Sequence, residues 1–164
     1  MQASNQLPVL PTQPAVAPHV WSAMRRAGID DWISEGEGKW SLPIQFLPDG
    51  AGWVELMRLS PGVLVSRHRH RGEVHALNLQ GVRRLSDGRT IFPGDYVYEP
   101  AGNVDFWQAV GEEMLIVQVV VRGDVEYLAE DGSVTQRIDT LGRIADYERY
   151  CRETGRASRD LSAY

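Results

Sequence analysis

Two histidines one residue apart, His68 and His70, lie in a run of β-branched and apolar residues that begins just after Gly62. Successive side chains of a strand alternate faces, so this spacing sends both imidazoles to one side, about one metal ion apart. Arg67, Arg69 and Arg71, interleaved with them, go to the opposite, solvated face. Further along, the run from Gly94 to Asp105 ends in a carboxylate. Two histidines and one carboxylate leaving positions open make the facial triad of non-haem iron(II) oxygenases, and His68, His70 and Asp105 would be such a set. With His75 added, a four-ligand site would also suit zinc or manganese, and ligand identity alone does not choose among them. If Asp105 does not ligate, His68 and His70 remain as polar residues lining a barrel.

Glu99 is the next candidate. Along Tyr96 to Pro100 the alternation puts Val97 and Glu99 on one face and the two tyrosines on the other. A carboxylate held inside must be paired, metal-linked or protonated, because burying it alone is costly. Glu99 would therefore be a partner of a ligand histidine, a general acid or base alongside His75, or the structural partner of an arginine such as Arg58 or Arg83. Trp107 shares a strand face with Asp105, and Trp53, Phe106 and Phe92 lie on neighbouring runs. Trp107, Trp53 and Phe92 are the candidate substrate contacts, lining an apolar pocket that would take an aromatic or otherwise flat molecule.

These residues must be positioned by strands. From Trp40 to Val121, short apolar or alternating runs are separated by Gly, Pro, Asp and Asn, the pattern of an all-β sandwich or barrel. The expected strands are Trp40 to Phe46, Trp53 to Leu59, Val63 to His68, Val74 to Leu79, Thr90 to Phe92, Tyr96 to Glu99, Val104 to Ala109 and Met114 to Val121. Val125 to Leu128 and Val134 to Ile138 flank Asp131-Gly132 as a hairpin. A helix follows, with Leu141, Ile144, Ala145, Tyr147, Glu148 and Cys151 in helical period, Thr140 as N-cap, Gly155 as C-cap, and Arg143, Arg149 and Arg152 on its polar face.

Composition limits the setting. The 164 residues suit one domain, read as residues 20–155, preceded by a proline-rich extended or flexible arm over residues 1–19 and followed by a loose tail over residues 156–164. Such an arm lying on a second copy would help form a homodimer. A short helix is expected around Ser22 to Ala27. The net charge is -5 and Lys39 is the single lysine, which gives no basic stripe for nucleic acid. The lone Cys151 allows no internal disulfide, and the proline-broken amino terminus reads neither as a signal peptide nor as a membrane span, so a cytoplasmic protein with a small-molecule substrate is expected.

The spacing Gly62, five residues, His68, one, His70, four, His75, then Gly81 resembles the first cupin motif. Gly94, five residues, Pro100, one, Gly102, two, Asp105 resembles the second. The resemblance implies an all-β, cupin-type jelly-roll barrel with a C-terminal hairpin and helix, binding one divalent metal on its inner face. Within the cupins, Gly72-Glu73-Val74-His75, Leu79-Gln80-Gly81, Gly94 to Gly102 and the segment from Tyr127 to Cys151 resemble the 2,4′-dihydroxyacetophenone dioxygenase branch. That branch implies iron(II) and dioxygen, cleaving a carbon–carbon bond beside a ketone. The sequence departs from the pattern in three places. His75 stands where most cupins have glutamate, although this branch tends to carry histidine; Asp105 replaces the third metal-binding histidine; and Ser86-Asp87 offers no glutamate where the branch has a further carboxylate.

Three readings follow. The first is a metal-dependent dioxygenase of a hydroxyketone or diketone, with iron(II) favoured over zinc or manganese. The second is a non-oxidative isomerase, lyase, cyclase or hydrolase in which the ion polarises a carbonyl while Glu99 or His75 moves a proton. The third is a metal-free cupin that binds a small molecule.

Overall fold

Alternating burial along the strands folds the chain into two six-stranded antiparallel sheets, seen in a computed structural model that describes residues 32–162. The strands are β1 (Ile33–Ser34), β2 (Lys39–Phe46), β3 (Gly52–Leu59), β4 (Leu64–His70), β5 (Val74–Gln80), β6 (Val82–Leu85), β7 (Thr90–Ile91), β8 (Tyr96–Glu99), β9 (Val104–Val110), β10 (Leu115–Arg122), β11 (Val125–Leu128) and β12 (Val134–Ile138), followed by helix α1 (Thr140–Thr154). One sheet runs β1-β2-β3-β10-β5-β8 and the other β12-β11-β4-β9-β6-β7. Among the described residues no helix is long and apolar enough to cross a membrane. The amino-terminal arm and the helix expected around Ser22 to Ala27 lie outside the described residues.

The inward faces make the core. In β10, Leu115, Val117, Val119 and Val121 are buried at every second position. Such a side chain contributes about 1.5–3 kcal/mol when taken out of water. Trp53 of β3 and Ala76 of β5 flank them on the same sheet, and Val65 of β4, Leu85 of β6 and Trp107 and Ala109 of β9 belong to the facing sheet.

Strand β4 carries the feature that positions the site. Against β9 it pairs Val65 with Trp107 and His68 with Asp105, so three residues of β4 span two of β9. This bulge at Ser66 and Arg67 resets the alternation, and Val65, His68 and His70 all end up buried on the inner face. A regular strand would have turned His68 away from Val65. Pro43, which has no N–H to give a ladder, sits at a second bulge where β2 pairs with β3.

Several elements differ from what the sequence predicts. Val82 to Leu85, not expected as a strand, is β6, wedged between β7 and β9. The helix is capped by Asp139, whose carboxylate accepts from the Gly142 N–H at 2.7 Å, while Thr140 is buried inside the first turn and donates to the Gly50 carbonyl at 3.0 Å. Gly155 does close the helix, with a left-handed φ of 68°. Leu141 is 72 % exposed, and the buried stripe is Thr140, Arg143, Tyr147 and Cys151. Arg143 is therefore not on the polar face. The tail is also tied down: the Leu161 carbonyl accepts from Phe46 N–H at 3.0 Å, and the Arg159 N–H donates to Tyr147 Oη at 3.1 Å.

Candidate functional site

Between the two sheets lies a cavity of about 80 Å³ whose lining includes His68, His70, Glu99, Trp53, Trp107 and Arg83, together with Glu35, Glu55 and Arg143. An engineered cavity that admits benzene is about 150 Å³. The space therefore suits a compact molecule of a few heavy atoms rather than an aromatic ring.

His68 and His70 converge here. Their Nε2 atoms are 3.1 Å apart, with the rings edge to face. His68 Nδ1 lies 2.8 Å from the Ser66 carbonyl, which accepts only, so Nδ1 carries a proton and Nε2 is the atom turned toward His70. Fixing a ligand histidine through its second nitrogen in this way is the usual support of a metal site. The bulge supplies that support, since it belongs to the residue it displaces. His70 is buried; burial, and then the nearby His68 charge, lower its pKa to about 3. It is thus a neutral imidazole across the physiological range, and its Nδ1 meets no partner.

Glu99, inward and 6 % exposed, completes the group. Its Oε2 accepts from Asn103 Nδ2 at 2.8 Å and lies 3.5 Å from His70 Nε2. Two donors of one ion at ligand bonds of about 2.1 Å stand no more than about 4.2 Å apart. The His68–His70 spacing of 3.1 Å and the His70–Glu99 spacing of 3.5 Å both meet that condition. His68 with His70, and His70 with Glu99, each stand close enough to share an ion, although among the described residues no group of three His, Cys, Asp or Glu side chains is placed so that it could hold one. Glu99 makes no ion pair with Arg58, which is stacked between the Trp32 and Trp40 rings.

The other expected site residues are elsewhere. Asp105 is buried beside His68 in register, but it does not line the cavity. Its Oδ1 accepts from Ser86 Oγ, from the Ser86 N–H at 3.3 Å and from the Phe106 N–H at 2.8 Å. The residue expected to complete the triad instead fastens the β6–β7 turn. His75 pairs with Tyr98 across the ladder and faces outward, its Nδ1 bonded to Tyr96 Oη and its Nε2 3.5 Å from Glu73 Oε1. It belongs to neither the ligand set nor the cavity, because Val74 and Ala76 on either side take the inward positions. Phe92 is 55 % exposed beyond β7, so it is not a substrate contact, whereas Trp53 and Trp107 do line the cavity.

Two buried arginines escaped the sequence reading as site residues. Arg143 reaches in from α1 and donates to Glu35 Oε1 at 2.6 Å and to Glu55 Oε2. Burial alone would lower its pKa, but the charges of Glu55 and Glu35 outweigh burial and raise it. Arg83, 1 % exposed on β6, stacks with its Cζ 4.9 Å from the Trp107 ring centre. Burial lowers its pKa against the opposing pull of Glu99 and Asp105. The parity of Leu85, apolar and two residues on, was the signal that Arg83 faces inward.

The sequence matches the ChrR cupin-like domain over residues 24–133. No curated protein matches it. Among solved structures, an RmlC-like cupin from Ralstonia eutropha superposes with a TM-score of 0.76 at 21 % identity, covering 88 % of this chain and 98 % of that one. A protein of unknown function with a cupin-like fold, also from Ralstonia eutropha, gives 0.72 at 23 % identity, covering 78 % and 82 %. An acetylacetone dioxygenase from Acinetobacter johnsonii gives 0.69 at 13 % identity, covering 92 % and 99 %.

Proposed function

The chain belongs to the ChrR cupin-like domain family, and on that premise we propose that it is a metal-dependent cupin enzyme, dioxygenase-like, acting on a small dicarbonyl or hydroxyketone. The observation that carries this reading is the pair of Nε2 atoms 3.1 Å apart in the cavity between the sheets, with the His68 ring oriented by the Ser66 carbonyl. His68 and His70 would hold the ion and Glu99 would be its carboxylate, in place of Asp105. Two imidazoles and one carboxylate suit iron(II) best, with zinc or manganese as the alternatives. Once bound, iron(II) would supply the redox chemistry with dioxygen and a positive charge that draws in a carbonyl oxygen.

The chain's own groups do the rest. Trp53, Trp107, Val65 and Val119 exclude water and leave room for a few heavy atoms. That size supports a small aliphatic diketone over the aromatic hydroxyketone implied by the branch resemblance, and the acetylacetone dioxygenase similar in fold makes a diketone the natural first probe. Asn103 holds Glu99 Oε2, so the carboxylate stays turned toward His70.

The test is oxygen uptake by protein loaded with iron(II) under anaerobic conditions and then offered acetylacetone or 2,3-butanedione. Oxygen consumption matched to substrate loss, absent in His68→Ala, is expected. Conversion that uses no oxygen and runs equally well with zinc would replace the dioxygenase by a lyase or hydrolase. Absence of any metal-dependent conversion would remove the enzymatic reading of this cavity.

A further inference from the structure

Arg83 and Arg143 are both arginines buried between the sheets, and they differ in one respect. Arg143 is saturated by two carboxylates, Glu35 and Glu55. Arg83 has neither Nε nor Nη2 hydrogen-bonded, although both atoms are cut off from solvent and the residue is only 1 % exposed. Glu99 and Asp105 are near enough for their charges to act on it, yet Glu99 is held by Asn103 and Asp105 by Ser86. Across the cavity, Trp53 Nε1 on the other sheet is likewise buried without a partner.

Buried donors left unmade cost stability, and charged ones cost most. A fold keeps them where something else satisfies them. Arg83 lines the cavity, and its planar guanidinium offers several N–H groups matched to the two oxygens of a carboxylate. Stacking on Trp107 fixes that plane.

We propose that Arg83, with Trp53 Nε1–H as a second donor, is a carboxylate-binding subsite, so that the molecule taken into this cavity is a small 2-oxo acid. The proposal deepens the metal-enzyme reading by naming the substrate class of the same cavity. The carboxylate would sit on Arg83 and the oxo group would face the His68, His70 and Glu99 cluster. A charge-assisted, fully buried contact discriminates strongly against a neutral molecule of the same shape.

Pyruvate and 2,3-butanedione form such a pair, alike in size and differing in the negative charge. Calorimetric titration of the full chain, first stripped of metal with chelator and then reloaded, tests the subsite apart from the metal. Metal-stripped wild type is expected to bind pyruvate at least about tenfold more tightly than 2,3-butanedione, a difference of about 1.4 kcal/mol. Arg83→Met, of similar length and neutral, is expected to abolish that preference; Arg83→Lys is expected to keep part of it. Equal binding of the two probes by wild type, or no saturable pyruvate binding, overturns the proposal without any variant having to fold. So does a preference that survives Arg83→Met. A pyruvate preference in protein that takes up no metal would leave the subsite standing and remove the metal reading alone.

Discussion

The chemistry rests on the different fates of neighbouring polar side chains. His68 and His70 share the inner face, as their spacing predicted, but the reason is more specific than alternation. A bulge at Ser66 and Arg67 restores them to the side that Val65 already occupies, and Ser66 then fixes the His68 tautomer. No pattern of apolar residues marks that extra residue, so the pair is legible in the spacing and the device that orients it is not. Glu99 was legible for a similar reason, lying inward by alternation from Tyr96. Asp105 was misjudged because a position in a motif says where a Cα stands and not which donors claim its oxygens. His70 carries a prediction of its own. In the metal-free protein an unfolded histidine takes up a proton near pH 6.5, whereas folded His70 resists protonation down to about 3. Between these values the unfolded state binds more protons, so stability rises with pH and is lost as pH falls, by up to about 1.4 kcal/mol per pH unit. Denaturant titrations from neutral to acid pH are expected to show a shallower loss for His70→Asn than for wild type. Parallel curves would mean that His70 is not held neutral by burial.

At the scale of elements, β9 and β10 followed their hydrophobic alternation, and the turns at Asp87-Gly88, Pro93-Gly94 and Asp131-Gly132 fell between strands where expected. Strand β6 was missed because Arg83 and Arg84 look like a solvated loop; only the pairing with β7 and β9 makes Val82 to Leu85 a strand. The helix was found and its face was misread, since Arg143 occupies a buried stripe through its pairing with Glu35 and Glu55. That pairing ties α1 to β3. Arg143→Met strands two carboxylates near the core, and a loss of roughly 3–5 kcal/mol is expected in equilibrium unfolding; a change within experimental error would show the triad to be dispensable. Gly52 begins β3 at a φ of 132°, where an added Cβ would fall 1.9 Å from the Val121 carbonyl oxygen. Gly94, at a φ of 91°, has open space around it. Gly52→Ala should therefore cost well beyond the roughly 1 kcal/mol of an ordinary glycine substitution, and Gly94→Ala distinctly less. Equal melting temperatures for the two variants would contradict the close approach of β3 to β10.

Over the whole molecule, two sheets face each other across a small cavity, and neither its size nor its charge balance was legible in the sequence. Strand order depends on pairings between distant segments: β10 lies between β3 and β5, which precede it by more than thirty residues of chain. The cavity follows from that order, because it brings Trp53 and Glu99 on one sheet toward His68, His70, Arg83 and Trp107 on the other. An ion bound between the sheets would stabilise the folded state by mass action, about 2.7 kcal/mol at a hundredfold excess over its dissociation constant. Iron(II), zinc or manganese is thus expected to raise the melting temperature of wild type and leave that of His68→Ala unchanged. The most direct test of the account is metal stoichiometry, by elemental analysis of untagged protein after equilibration with each ion, for wild type, His68→Ala, Glu99→Gln and Asp105→Asn. The account predicts close to one ion per chain in wild type and in Asp105→Asn, much less in Glu99→Gln, and none in His68→Ala. A wild type that binds no ion, or a site emptied by Asp105→Asn and untouched by Glu99→Gln, would contradict it.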